Sequence, residues 1–208
     1  MMMAENEIRR ALLTNGLCTE LPQDDATHSL ILGHFESYNG LYRVEKVFQI
    51  TNHPLAQEYL LFKSTLIDDI GEQHLNERSL FHGTKTTDAV CGIAKEGFDW
   101  RLNGTNGTAF GKGSYFSSHL PYSAEGYTQA DEQGLRFVFI ARVLLGKSAP
   151  AKQSDVRPPA GCHSTASLPN NMHITFHIKQ AYPQYLVFFK KTTGNQQQVN
   201  CVRRMMAI

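Results

Sequence analysis

The sequence predicts an α+β domain, and two observations predict it. Clear helical periodicity is confined to the first half of the chain, while short runs of β-branched and aromatic residues dominate the second half. An alternating parallel sheet would instead interleave strand and helix along the whole length. The 208 residues are enough for one good-sized domain, and 41% hydrophobic against 19% charged residues can bury a full core. No internal repeat and no Pro/Gly/Ser linker divides the chain. The expected organisation is an N-terminal extension over residues 1–20, one domain over 21–191, and a polar tail over 192–208.

Each element has a local reason. Glu5 to Leu13 reads as a short helix stopped at Gly16. Leu41 to Ile50 reads as a strand leading into a helix, with Asn52 as N-cap and Pro54 in the first turn. Leu55, Tyr59, Phe62 and Leu66 then recur every three or four residues as one buried stripe. Ser79-Leu80-Phe81 is a short apolar run that ends at His82-Gly83. A second helix starts near Thr86 or Thr87, turns Val90, Ile93 and Ala94 inward, and stops at Gly97. Gly104 to Gly113 is a glycine-rich loop. Strands are predicted at Ser114–Ser117, Phe137–Leu145, Met172–Ile178 and Tyr185–Lys190.

Several function classes fall away. Twenty Lys and Arg against nineteen Asp and Glu give a net charge of +1, so binding to nucleic acid is not indicated by charge. No segment approaches ~20 apolar residues, so no membrane span is expected, and the first ten residues lack a secretory apolar stretch. Cys18, Cys91, Cys162 and Cys201 are far apart, which predicts reduced thiols in an intracellular protein and no zinc ribbon. His163, His173 and His177 show no metal-ligand pattern, and no metal is expected. The glycine loop is neither of the two common nucleotide loops. Gly111-Lys112 is followed by Gly113 where a phosphate loop needs Ser or Thr, and Phe116 stands where a dinucleotide fingerprint needs its third glycine.

A more specific set remains. LFHGT (Leu80 to Thr84) is followed by GKGSYF (Gly111 to Phe116) and PYSAEGY (Pro121 to Tyr127). His82-Gly83 at a strand end offers an imidazole and a backbone without a side chain, which a flat molecule can approach closely. Ser123 and Tyr127 lie one helical turn apart. Two rings, a hydroxyl, an imidazole and a bare amide suit an aromatic carboxamide, which needs stacking together with partners for its C=O and NH2. Any one of these residues taken alone would read as structural. Their order along the chain is what points to a site.

The chain resembles the catalytic domain of the poly(ADP-ribose) polymerase family, the diphtheria-toxin-like ADP-ribosyltransferases. The resemblance runs from about Leu41 to Lys190. It rests on Val47 to Tyr59, LFHGT, Gly97 to Ser117, Phe139 to Gly146, Val156 to Ala160 and Gln180 to Phe189, in that order. It implies the ADP-ribosyltransferase fold, two packed antiparallel β-sheets with flanking helices, with NAD bound as the ADP-ribose donor. It also implies the site roles. His82 bonds the ribose beside the adenine, and Gly83 clamps the nicotinamide carboxamide through its backbone. Thr84 faces the adenosine ribose, and Tyr115 lines the nicotinamide-ribose side. Ser123 bonds the carboxamide, Tyr127 stacks on the ring, and residues 99–110 form a loop over the donor.

Polymer-forming relatives carry a Glu on the strand before the QAYP motif, where it bonds the nicotinamide-ribose 2′-hydroxyl. Counting back from Gln180-Ala181-Tyr182-Pro183 puts Met172 there, with His173 as the second choice. The triad therefore reads His82, Tyr115 and Met172, and the resemblance implies transfer of single ADP-ribose units to a protein acceptor, this chain itself included, or to a nucleic-acid acceptor. The alternatives from the same residues are an inactive NAD-binding or interaction module, and an NAD glycohydrolase in which water replaces the acceptor.

Overall fold

The computed structural model describes residues 4–102 and 109–192. The central part of the predicted donor loop, the polar tail beyond Thr192 and Cys201 lie outside those residues. Among the described residues the helices are α1 (Ala4–Thr14), α2 (Ala26–Glu36), α3 (His53–Ile70), α4 (Thr87–Glu96) and α5 (Leu120–Gly126). The strands are β1 (Cys18–Glu20), β2 (Tyr42–Ile50), β3 (Glu77–Thr84), β4 (Ser114–Ser117), β5 (Leu135–Leu144), β6 (Ser148–Pro150), β7 (Ser164–Ser167), β8 (Met172–Thr175) and β9 (Ala181–Lys191). The fold is α+β, as the sequence predicts.

Hydrogen bonding joins the strands in the order β1-β2-β9-β5-β3-β4-β8-β7-β6. The two expected sheets are thus halves that meet at one narrow junction, because β3 and β4 pair only at Phe81 and Ser117. All neighbours are antiparallel except β6 and β7, which run parallel. Helices cover both faces of the five-stranded half. Ile8 and Leu12 of α1 and Val90 and Ala94 of α4 pack with Phe48, Phe137, Phe139 and Phe188. On the other face, Ile31 and Phe35 of α2 and Leu120 and Ala124 of α5 pack with Val47, Phe81, Val138 and Phe189. Coverage of both faces explains why β5 is nearly continuously hydrophobic instead of alternating. Residues 4–20, expected as an extension, pack on this half through α1 and through the pairing of β1 with β2.

The capping expectations have visible causes. Asn52 Oδ1 accepts the Leu55 N–H at 3.2 Å, while its Nδ2 donates to the Ala94 and Lys95 carbonyls at the end of α4. One buried side chain therefore starts α3 and closes α4. Thr86 caps α4 by accepting the Ala89 N–H. Elsewhere α3 is tied to the sheet through Glu77, whose carboxylate takes bonds from Tyr59, Lys63 and Arg142. Burial alone would raise the Glu77 pKa, but these three donors outweigh it and hold the carboxyl below its ordinary value.

The predicted strand from Met172 to Ile178 is shorter than expected. It ends at Thr175 because Gln180 Oε1 accepts the Phe176 and His177 N–H groups and His177 caps a short 3-10 turn. Among the described residues no helix is long and apolar enough to cross a membrane. Cys18, Cys91 and Cys162 form no disulfide.

Candidate active site

A recess opens beside the β3–β4 junction, lined by His82, Gly83, Tyr115, Ser117, Tyr122, Ser123, Tyr127 and Met172. Six of the seven residues singled out in the sequence meet there. The seventh, Thr84, is buried at the end of β3 opposite Phe137 and does not line the recess, although strand alternation puts it on the same face as His82. Sequence reasoning missed Ser117 and Tyr122. Tyr122 lies inside PYSAEGY and Ser117 directly follows GKGSYF, so their signal was position, one residue before Ser123 and one after that motif.

Three strands and a helix supply the lining. β3 pairs along its whole length with β5, from Glu77–Leu144 to Thr84–Phe137. On its other edge the ladder with β4 stops at Phe81, so His82 and Gly83 have no paired strand residue on that side. There the imidazole Nδ1 lies 2.8 Å from the Tyr115 carbonyl oxygen. A carbonyl can only accept, so Nδ1 carries the hydrogen and Nε2 is left as an acceptor. Burial pulls the His82 pKa below the usual imidazole range, more than the Tyr115 bond raises it, so the ring is neutral at pH 7. Phe98 packs edge-on against that ring at 5.0 Å between centroids, with Phe116 tilted beside it at 5.6 Å.

Tyr115 faces the other way along β4. Its hydroxyl donates to the Gly111 carbonyl at 2.5 Å and accepts the Phe110 N–H at 3.0 Å, which pins the glycine-rich segment where it enters the strand. Gly111 has φ of +100°, and a Cβ there would stand 2.5 Å from the Asp155 carbonyl, so the turn requires glycine.

α5 delivers Tyr122, Ser123 and, at its C-cap, Tyr127. The Ser123 hydroxyl is buried and donates to the Phe81 carbonyl at 3.3 Å. The Tyr122 and Tyr127 rings lie 5.5 Å apart at 30°, with their hydroxyls 3.4 Å apart. Burial raises the pKa of Tyr127 and of Tyr115, so both phenols stay protonated at neutral pH.

Met172 opens β8, opposite Ser117 of β4, and is 2% exposed. His173, the second choice for this position, sits on the opposite face of β8 between Phe116 and Ala166, and does not line the recess. No Asp or Glu is among the lining residues. Among the described residues, no group of three or more His, Cys, Asp or Glu side chains is arranged to hold a metal.

A nine-stranded antiparallel-dominated sheet split beside a His-Gly strand end, with three tyrosines and two serines lining the opening, defines an ADP-ribosyltransferase type of domain. The chain belongs to the poly(ADP-ribose) polymerase catalytic domain family, whose model matches residues 30–168. It is similar to protein mono-ADP-ribosyltransferase PARP12 of Homo sapiens, with 35% identity over 170 residues that cover 76% of this chain and 23% of that protein. It is also similar to protein mono-ADP-ribosyltransferase PARP14 of Homo sapiens, with 31% identity over 85% of this chain and 10% of that protein. Against protein mono-ADP-ribosyltransferase PARP11 of Mus musculus the identity is 29%, over 71% of this chain and 52% of that protein. The chain therefore spans less than a quarter of PARP12 and about half of PARP11.

Proposed function

We propose that the chain is a mono-ADP-ribosyltransferase that uses NAD as donor and a protein side chain as acceptor, inside the cell. The observation that carries this reading is the recess itself: it offers the neutral His82, the Gly83 backbone and the Tyr127 ring, and Met172 where polymer-forming relatives have a carboxylate. The residues fit the donor. His82 Nε2 accepts a ribose hydroxyl, and the Gly83 edge of β3, with no paired strand residue on that side, takes the carboxamide. Ser123 turns its hydroxyl to the same group, Tyr127 stacks on the ring, and Tyr115 lines the nicotinamide ribose; Thr84, buried outside the recess, reaches the adenosine ribose only where the donor extends past His82.

The reaction breaks the C1′–N bond, whose electron pair leaves with nicotinamide, and an acceptor oxygen forms the new bond to C1′. The transition state is oxocarbenium-like, so orienting the ribose and accommodating a departing neutral ring are what these residues contribute. Met172 has no acid–base chemistry. An acceptor carboxylate can itself stabilise the cation and needs no proton removed before it attacks. Without a residue to activate the 2′-hydroxyl of an attached unit, one unit is transferred.

Incubation with labelled NAD followed by mass spectrometry of the protein tests this. The expected result is single ADP-ribose additions with stoichiometric nicotinamide release. Nicotinamide release with no labelled protein would assign a glycohydrolase, and absence of NAD binding in a thermal-shift titration would assign an inactive module.

A further inference from the structure

α5 is too short to hold its own place. It has seven residues, and its N-cap, His119, makes no side-chain bond to the first turn. Helices below about 12 residues are marginal in water, so the helix depends on contacts from outside. Three strand groups supply them. From β3, the Phe81 carbonyl takes the Ser123 hydroxyl, and the Gly83 backbone abuts the Ser123 carbonyl closely enough that a Cβ would stand 2.5 Å from it. From β2 and β9, the Tyr42 hydroxyl donates to Glu125 Oε1 at 3.0 Å and Lys191 Nζ donates to Glu125 Oε2 at 2.7 Å. From β5, Arg136 Nη1 donates to the Thr128 carbonyl at 3.1 Å and the Thr128 hydroxyl at 3.0 Å. That hydroxyl donates in turn to the Ala124 carbonyl at 2.6 Å, in the last turn of the helix.

Neither Glu125 nor Arg136 lines the recess. Both act on the helix that carries three of its lining residues. Exposed ion pairs usually contribute little, but the Glu125 and Lys191 side chains are only 24% and 31% exposed, and the Tyr42 bonded to the same carboxylate is 2% exposed. One contact falls within the segment from Ser123 to Tyr127, at Glu125, and the other just after it, at Thr128, so they fix its rotation and its distance from β3 together.

We infer that Glu125 and Arg136 are positioning residues for the recess: they hold α5 against β3 and thereby set Tyr122, Ser123 and Tyr127 for the nicotinamide end of the donor. The inference rests on the donor-site reading above. It assigns their effect to donor binding, since His82, Tyr115 and Met172 stand on strands that α5 does not carry.

The test uses the full chain with Glu125→Gln and Arg136→Met, measuring KM for NAD, kcat for nicotinamide release and calorimetric affinity for nicotinamide, well below the melting temperature. Misplacement of the site by a fraction of an ångström is expected to raise KM and the nicotinamide Kd together, on the order of tenfold. Meanwhile kcat stays within about threefold. The charge swap Glu125→Lys with Lys191→Glu recovers most of the loss seen with Glu125→Lys alone, and Arg136→Lys keeps part of the affinity that Arg136→Met loses. Folded Glu125→Gln and Arg136→Met with unmoved KM and Kd would overturn the inference, as would a charge swap that recovers nothing. If Glu125→Gln does not fold, the Arg136 pair and the swap decide the matter. An unaltered chain that binds no nicotinamide overturns the donor-site reading and the inference with it, whereas normal binding with unmoved variants overturns the inference alone.

Discussion

A methyl group on Gly83 would stand 2.5 Å from the carbonyl oxygen of Ser123 and 2.9 Å from the Tyr127 Cβ. The missing side chain is therefore what lets the last turn of α5 lie against β3, and the glycine serves packing as well as ligand access. Gly83→Ala is expected to destabilise the fold by about 1–3 kcal/mol, because the blocking atom is backbone and the helix must move. Urea denaturation measures the loss. A calorimetric titration should show nicotinamide affinity falling with it, and an unchanged midpoint would mean α5 yields freely.

Tyr115→Phe keeps the ring and removes the hydroxyl that holds both the Gly111 carbonyl and the Phe110 N–H. Each hydrogen bond contributes on the order of 1 kcal/mol, so the entry to β4 loosens without a gross loss of stability. The expected outcome is a KM for NAD raised several-fold. Limited proteolysis should show faster cleavage near residue 110, and an unaltered digestion pattern would refute the pinning role.

Met172→Glu puts a carboxylate at a buried strand position opposite Ser117. A charge-assisted bond to a ribose hydroxyl contributes about 1.5–3 kcal/mol, ten-fold or more in rate. The burial cost of the new group is separated by Met172→Gln, its neutral counterpart. Faster nicotinamide release from the Glu variant than from the Gln variant is expected, with labelled products still one unit long on a denaturing gel. Equal turnover in the two would move the third catalytic position elsewhere, and chains from the unaltered protein would refute single-unit transfer.

Acid should weaken both fold and site. Burial holds His82, His119, His173 and His177 below the ordinary imidazole pKa, with Lys179 adding to the effect at His177. The unfolded chain takes up protons as pH falls through about 6.5 while the folded chain resists, so stability rises with pH across that window. It is fully present above about 6.5 and is lost progressively below. Melting temperatures recorded from about pH 7.5 to 5.5 should decline, and His82→Asn should flatten the curve. Protonated His82 also turns Nε2 from acceptor to donor, so NAD affinity falls at the acid end. A pH-independent melting temperature over this range would contradict the burial of these rings.

Much of the fold was legible because it rests on local rules. The Asn52 cap and the stripe from Leu55 to Leu66 gave α3, and Thr86 with Gly97 bounded α4, each within a residue or two. α2 escaped notice because its exposure runs against residue type. His28 points inward and Leu30 is 75% exposed, which erases the apolar stripe that Ile31 and Phe35 would otherwise show. β6 and β7 are short and lie at one end of the sheet, and the buried Ser164 of β7 is satisfied by the exposed Ser148 and the Leu145 carbonyl, which no apolar pattern announces. In the recess, residues carried by compact motifs were readable. Ser117, at the end of a quoted stretch, and Tyr122, inside PYSAEGY, were not singled out, because only the pairing of β4 with β8 and the two-turn helix after β4 bring them to the same opening.

The packing of α1 and β1 has a practical consequence. The family model matches from residue 30, yet Ile8, Leu12 and Cys18 are buried with Phe48, Ile50 and Leu135. A recombinant form trimmed to begin at residue 21 would bare that aromatic face and the β2 edge beside it, an open template for strand addition between molecules. It should be recovered chiefly in inclusion bodies, while a form beginning at residue 4 stays in the supernatant.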